Sequence, residues 1–166
     1  MKIRTTVASI VTVAAIGVGA YFALGAKEMA PTVAYTVLDG TKVDTSQLRG
    51  KVVLVNFWAT SCVTCVQEMP QMIATHNKFA GKGYETMAVA MSYDPPAYVV
   101  NFTETRKLPF KVVIDNTGSI ARSFGDVQLT PTSVLINKRG EVVKRYVGEP
   151  DFAALHTLVE KLLVES

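Results

Sequence analysis

A run of nine residues, KVVLVNFWA from Lys51 to Ala59, is almost without polar side chains after its first position; Asn56 is the exception. It is rich in β-branched and aromatic residues, which favours an extended conformation over a helix. Because it does not alternate apolar with polar, neither face is suited to water. A strand of this kind is buried on both sides, with other layers packed above and below it.

The rest of the chain supplies those layers. AYTVLDGTKVD, from Ala34, places Asp39-Gly40 between two short extended runs, the signal of a hairpin. Val63 to Phe79 carries apolar residues at Val66, Met69, Ile73 and Phe79, a helical spacing interrupted by Pro70. YETMAVAMSYD, from Tyr84 to Asp94, is a second buried strand, and Asp94-Pro95-Pro96 caps and starts a helix through about Arg106. FKVVID is a strand, Asn116 to Phe124 a short helix, and TSVLINKRGEVVKRYVG two strands around Lys138-Arg139-Gly140. The last helix, Asp151 to Val164, presents Phe152, Leu155, Leu158, Val159 and Leu162. Strands alternating with helices, then a terminal hairpin and helix, specify an α/β fold with a mixed sheet.

Hydrophobic residues make up 49% of the 166-residue chain, an excess that sits at the N-terminus. Lys2 and Arg4 precede a run from Val7 to Ala26 without any charge. A basic start before an apolar stretch of that length reads as a signal-anchor over residues 1–26, with a cleaved signal peptide as the alternative. The positive residues stay in the cytoplasm, which puts the rest of the chain outside, in a periplasm or its equivalent. Disulfides persist there. Residues 27–32 read as a linker and 33–166 as the domain. Without Lys2 and Arg4 the chain has 15 basic residues against 14 acidic. A body so nearly neutral does not offer nucleic acid a broad basic face.

Both cysteines, Cys62 and Cys65, stand two residues apart just after the first buried strand. Covalent haem attachment requires a His after the second Cys, and Val66 is there. A structural zinc site requires about four ligands, and His76 and His156, expected on helix surfaces, lie at no supporting spacing. A peroxidase site would carry Ser or Thr three residues before the reactive Cys, where Ala59 stands. A purely structural disulfide would close a loop too short to restrain much chain entropy. A Cu(I) site from the two thiols and a Met such as Met69 stays open, since soft ligands suit that ion. Redox exchange fits best. At a strand-to-helix junction the first Cys meets the helix N-terminus, where free N–H groups and the dipole favour the thiolate. The second lies one turn on, within reach to resolve a mixed disulfide.

VLVNFWATSCVTC resembles the thioredoxin superfamily signature, a strand followed by Phe-Trp-Ala and CxxC. Pro70, five residues after the second Cys, matches the family's helix proline, and Thr130-Pro131 matches its cis-proline. KVVIDNTGSIARSFG and LTPTSVLINKRGEVVKRYVGE are similar to the membrane-anchored thiol-disulfide oxidoreductases of the TlpA and ResA type. The resemblance spans about residues 33–164. It implies a thioredoxin-like fold: a central mixed sheet flanked by helices, an N-terminal hairpin, and a central strand-helix insert over Ser92 to Asp115.

For the site, the resemblance implies Cys62 as the attacking thiolate, Cys65 as the resolving thiol, and a redox-active disulfide between them with no further cofactor and no metal. Pro131 would shape the substrate groove, the Thr130 backbone would pair with an extended client segment, and Trp58 would pack under the site and contribute to substrate binding. Glu68, one helical turn after Cys65, would be buried with a raised pKa and shuttle a proton to or from Cys65. The implied partners are disulfides of exported proteins and a membrane thiol donor. Reduction of apocytochromes c or of copper-site cysteines is the expected activity, with disulfide oxidation or Cu(I) delivery as alternatives. The chain departs from the family in three places. Asn56 replaces the buried Asp of thioredoxins proper, Ser61 replaces the usual aromatic before the first Cys, and Val63-Thr64 stands between the cysteines where many relatives carry Pro or a charge.

Overall fold

The computed structural model describes residues 27–165; the expected signal-anchor over residues 1–26 lies outside them. Among the described residues no helix is long and apolar enough to cross a membrane.

Strand β3 (Val52–Trp58) is buried at every position and forms the centre of a five-stranded sheet in the order β5-β4-β3-β6-β7. β4 (Tyr84–Ala90) and β5 (Lys111–Ile114) run parallel to it on one side. β6 (Thr132–Ile136) and β7 (Val142–Val147) run antiparallel to their neighbours on the other. A hairpin of β1 (Ala34–Thr36) and β2 (Lys42–Asp44) forms a separate two-stranded sheet, turned at Gly40 with φ of 87°. A non-glycine residue would adopt that conformation only with strain. The Thr41 N–H donates to the Asp39 carboxylate and closes the turn.

Among the described residues four α-helices complete the layers: α1 (Val63–Phe79), α2 (Pro96–Arg106), α3 (Ser119–Ser123) and α4 (Phe152–Val164). The period-2 geometry of β3 divides its side chains between two cores. Val52, Leu54 and Trp58 pack with Met69, Met72 and Phe79 of α1, Val99 of α2, and Leu155, Val159 and Leu162 of α4. Val53, Val55 and Phe57 point the other way, onto Tyr35 and Val37 of the hairpin region and Ile120 and Phe124 near α3. Burying each such side chain is worth about 1.5–3 kcal/mol, which is why β3 tolerates so few polar residues. Asn56 falls on the α1 side of this division.

The architecture is the thioredoxin-like fold expected, and the central insert supplies α2 and the edge strand β5. Several local readings are corrected. β4 ends at Ala90 rather than Asp94, because Met91 to Asp94 turns, with the Asp94 N–H donating to the Met91 carbonyl at 2.9 Å. Asp94 does not cap α2: the cap position is Pro95, without a side-chain hydrogen bond. His76 is buried rather than on the surface, with its ring against Phe110 at 5.5 Å and its Nδ1 at 3.2 Å from the Thr86 hydroxyl. His156 is half-buried, its ring edge-on to Phe79 and its Nε2 at 2.8 Å from the Thr75 hydroxyl. Residues 27–32, read as a linker, lie against the domain. Ala30 donates to the Gly140 carbonyl, Val142 donates to the Glu28 carbonyl, and Met29 bridges Glu141.

Candidate active site

The site is built where β3 meets α1. β3 runs out at Trp58, and a tight turn follows in which the Cys62 N–H donates to the Ala59 carbonyl at 3.1 Å. Cys62 then takes the N-cap position of α1 in an extended conformation, and its Sγ accepts from the Cys65 N–H at 3.2 Å. A cap residue normally satisfies one of the free N–H groups of the first turn with an oxygen; here a sulfur does so. Cys62 and Cys65 are joined as a disulfide, with their Cα atoms 5.2 Å apart.

The two sulfurs differ in access. Cys62 is half-buried and flanked by exposed Ser61 and Val63, whereas Cys65 is fully buried in the α1-side core. Only the first can meet a second molecule. An attacking Cys62 thiolate would sit among the N–H groups at the start of α1, which lowers its cost of ionisation.

Next to Cys65 in the same core lies a polar group of three. The Asn56 side-chain amide donates to Glu68 Oε1 and to the Ser133 hydroxyl, each at 3.0 Å. Glu68 is 1% exposed. Burial pushes its carboxyl up to about 7, against the opposing pull of the Asn56 hydrogen bond, and the negative charge of Glu149 adds to the rise. Its second oxygen, Asn56 Oδ1 and the Trp58 indole N–H are buried without a hydrogen-bond partner among the described residues. Glu68 therefore exchanges a proton near neutrality, on the helical turn that follows the buried sulfur.

The facing wall comes from the segment before β6. The register pairs Phe57 with Thr132, which sets Thr130-Pro131 beside the end of β3. That peptide bond is cis. The Pro131 carbonyl accepts from Gly148, while among the described residues nothing hydrogen-bonds the Thr130 N–H or carbonyl. The Thr130 hydroxyl lies 3.2 Å from the Tyr93 hydroxyl.

A chain with this strand, a disulfide at the N-terminus of the following helix, and a cis-proline beside it matches known proteins along most of its length. Residues 25–159 match the redoxin family. The chain belongs to the redoxin family. Among its relatives is the thiol-disulfide oxidoreductase ResA of Bacillus thuringiensis subsp. konkukian (strain 97-27), 37% identical over 133 residues that cover 80% of this chain and 76% of the relative. ResA of Bacillus subtilis (strain 168) is 34% identical, over 76% of this chain and 70% of its own. Among solved structures, a thioredoxin-family thiol:disulfide interchange protein from Chlorobium tepidum TLS superposes with a TM-score of 0.77 at 27% identity, covering 84% of this chain and 98% of that one. This redoxin is thus a thioredoxin-like thiol-disulfide oxidoreductase of the ResA type.

Within the redoxin framework the structure brings Cys62, Cys65, Glu68, Thr130 and Pro131 to one end of the sheet. Trp58 is different. It is 0% exposed and packs on the ring of Phe102 at 5.2 Å, so it floors the site and offers a substrate no surface. Among the described residues no group of three or more His, Cys, Asp or Glu side chains is arranged to hold a metal ion. Two residues that the sequence does not assign to the site also belong here, Tyr93 and Asp94, both on the turn after β4. No local pattern points them to the site, because their partners there lie more than thirty positions away.

Proposed function

We propose that this redoxin is an extracytoplasmic reductase of protein disulfides, with residues 1–26 anchoring it to the inner membrane and 33–166 forming the catalytic domain. The observation that carries the reading is the pairing of a half-exposed sulfur at a helix N-terminus with a buried one beside a carboxyl that titrates near 7. In the reduced protein the Cys62 thiolate attacks one sulfur of a client disulfide. That bond breaks, its other sulfur leaves as a thiolate, and a mixed disulfide forms on Cys62. Cys65, deprotonated by Glu68, then attacks the Cys62 sulfur and releases the second client thiol. Two electrons pass to the client and the Cys62–Cys65 disulfide remains, to be reduced again by a membrane thiol donor. The unpaired Thr130 backbone supports docking of an extended client segment by strand addition. Candidate clients are apocytochromes c awaiting haem, or the cysteines of a copper site.

The test is the reduction of a protein disulfide by purified wild type and by Cys62→Ser. Equal rates would end the proposal. Direction is read from the equilibrium with glutathione. A potential near about −270 mV supports the reductase, and one near about −120 mV would make the protein an oxidant instead.

A further inference from the structure

The turn from Met91 to Asp94 touches both walls of the site. Its first residue continues the sheet, since the Met91 N–H donates to the Trp58 carbonyl at 2.9 Å. Its last residue, Asp94, is 2% exposed, yet it is neither a helix cap nor a member of an ion pair among the described residues. Its carboxylate instead grips one residue twice. The Thr60 N–H donates to Oδ2 and the Thr60 hydroxyl to Oδ1, both at 2.6 Å. Between them, Tyr93 reaches the Thr130 hydroxyl.

Thr60 stands in the three-residue connection, Ala59 to Ser61, between the end of β3 and Cys62. The Cys62-to-Ala59 backbone bond shapes that turn from within. Asp94 is its side-chain anchor to the rest of the domain. Burying a carboxylate is costly unless its oxygens are well paired, and hydrogen bonds to an ionised acceptor are about twice as strong as neutral ones. A buried Asp committed to an active-site turn therefore holds that turn stiffly. We propose that Asp94 is a positioning residue for disulfide exchange. It acts through Thr60 to fix the turn that presents Cys62, while Tyr93 on the same segment ties the Thr130-Pro131 wall to it.

The consequence is chemical. Sulfur exchange requires the attacking sulfur to approach along the bond it breaks, and small misplacements of a reacting group reduce rates steeply. The same turn decides whether Cys62 keeps the N-cap place in which its sulfur accepts from the Cys65 N–H. A loosened turn lowers both the reactivity of the thiolate and its stabilisation by α1.

The inference rests on Cys62 being the attacking sulfur, and the experiment separates the two. Reduced wild type, Thr60→Val, Thr60→Ser and Asp94→Asn are alkylated with iodoacetamide, and the modified Cys is located by mass spectrometry. The glutathione equilibrium and the guanidinium unfolding midpoint are measured on the same samples. Thr60→Val keeps shape and removes one bond to Asp94; in Asp94→Asn the new NH2 group cannot accept from Thr60. Both are expected to alkylate Cys62 about tenfold more slowly and to shift the glutathione equilibrium, with Thr60→Ser restoring the wild-type values. Reactivity and equilibrium within about twofold of wild type in Thr60→Val, however far the midpoint falls, would show a merely structural bond and overturn the proposal. Should Asp94→Asn not fold, Thr60→Val decides alone. Alkylation of wild type at Cys65 instead of Cys62 would overturn the assignment of the attacking sulfur, and with it the role given to Asp94.

Discussion

Replacing Glu68 by Gln isolates the cost of its buried charge. The carboxyl titrates at about 7 in the folded chain and at 4.5 as an ordinary glutamate. Between those two values the folded state holds a proton that the unfolded chain has released, so stability falls as pH rises. Each pH step costs about 1.4 kcal/mol, which makes about 3 kcal/mol across the window. Below about pH 4.5 both states are protonated and the penalty is absent; above about 7 it is present in full. Glutamine keeps the shape, can accept from Asn56 as Glu68 Oε1 does, and cannot ionise. In the oxidised protein the two cysteines do not titrate, so they drop out of the comparison. Guanidinium unfolding of oxidised wild type and Glu68→Gln is measured across that range. The two are expected to be close in stability at the acidic end. At the alkaline end the variant is expected to be more stable by about 3 kcal/mol. A stability difference that does not change with pH would refute the reasoning, because every other group is common to both proteins. Glu68→Gln should at the same time slow the resolving step, read as a mixed disulfide that persists on Cys62.

Asn56→Asp would set a second carboxyl 3.0 Å from Glu68 Oε1. The pair should keep one proton past neutrality and cost about 3 kcal/mol on the alkaline side, measured as an unfolding midpoint that drops between mildly acidic and mildly alkaline buffer. Burial holds the His76 ring below its ordinary pKa of 6.5, with Glu85 pulling the other way. The unfolded chain takes up that proton first, so stability is lost as pH falls below about 6.5; His76→Gln should lose less than wild type, which paired unfolding curves either side of that pH would check. Trp58→Ala should cost about 3–5 kcal/mol by removing a fully buried ring, and urea unfolding of the oxidised protein would show it.

Much of the fold could be read from the sequence because local signals agreed with tertiary ones. The helix from Val63 to Phe79 is legible at both ends, since Cys62 marks its cap and Phe79 its last apolar contact. The burial of His76 also has a signal in the sequence. His76 continues the stripe of Cys65, Met69, Met72 and Phe79, and a residue on that stripe faces the core whatever its polarity. The Asn56–Glu68 pair has a similar cue, for Asn56 lies on the α1 side of a strand whose every position is buried. Asp94 offered no such cue. An Asp before two prolines is a good cap on local grounds, and only the folded chain shows its carboxylate taken by Thr60, 34 positions earlier.

The contacts of Glu28 to Ala30 with the turn at Gly140 to Val142 fix where the chain joins the domain. That turn follows the end of β6 that pairs with the start of β3, whereas Cys62 follows the end of β3. The seven residues of β3 separate the two poles by about 20 Å at the usual rise of a strand. Cys62 therefore lies at the opposite pole of the domain from the contacts of Glu28 to Ala30. A client arriving from solution would meet the sulfur directly.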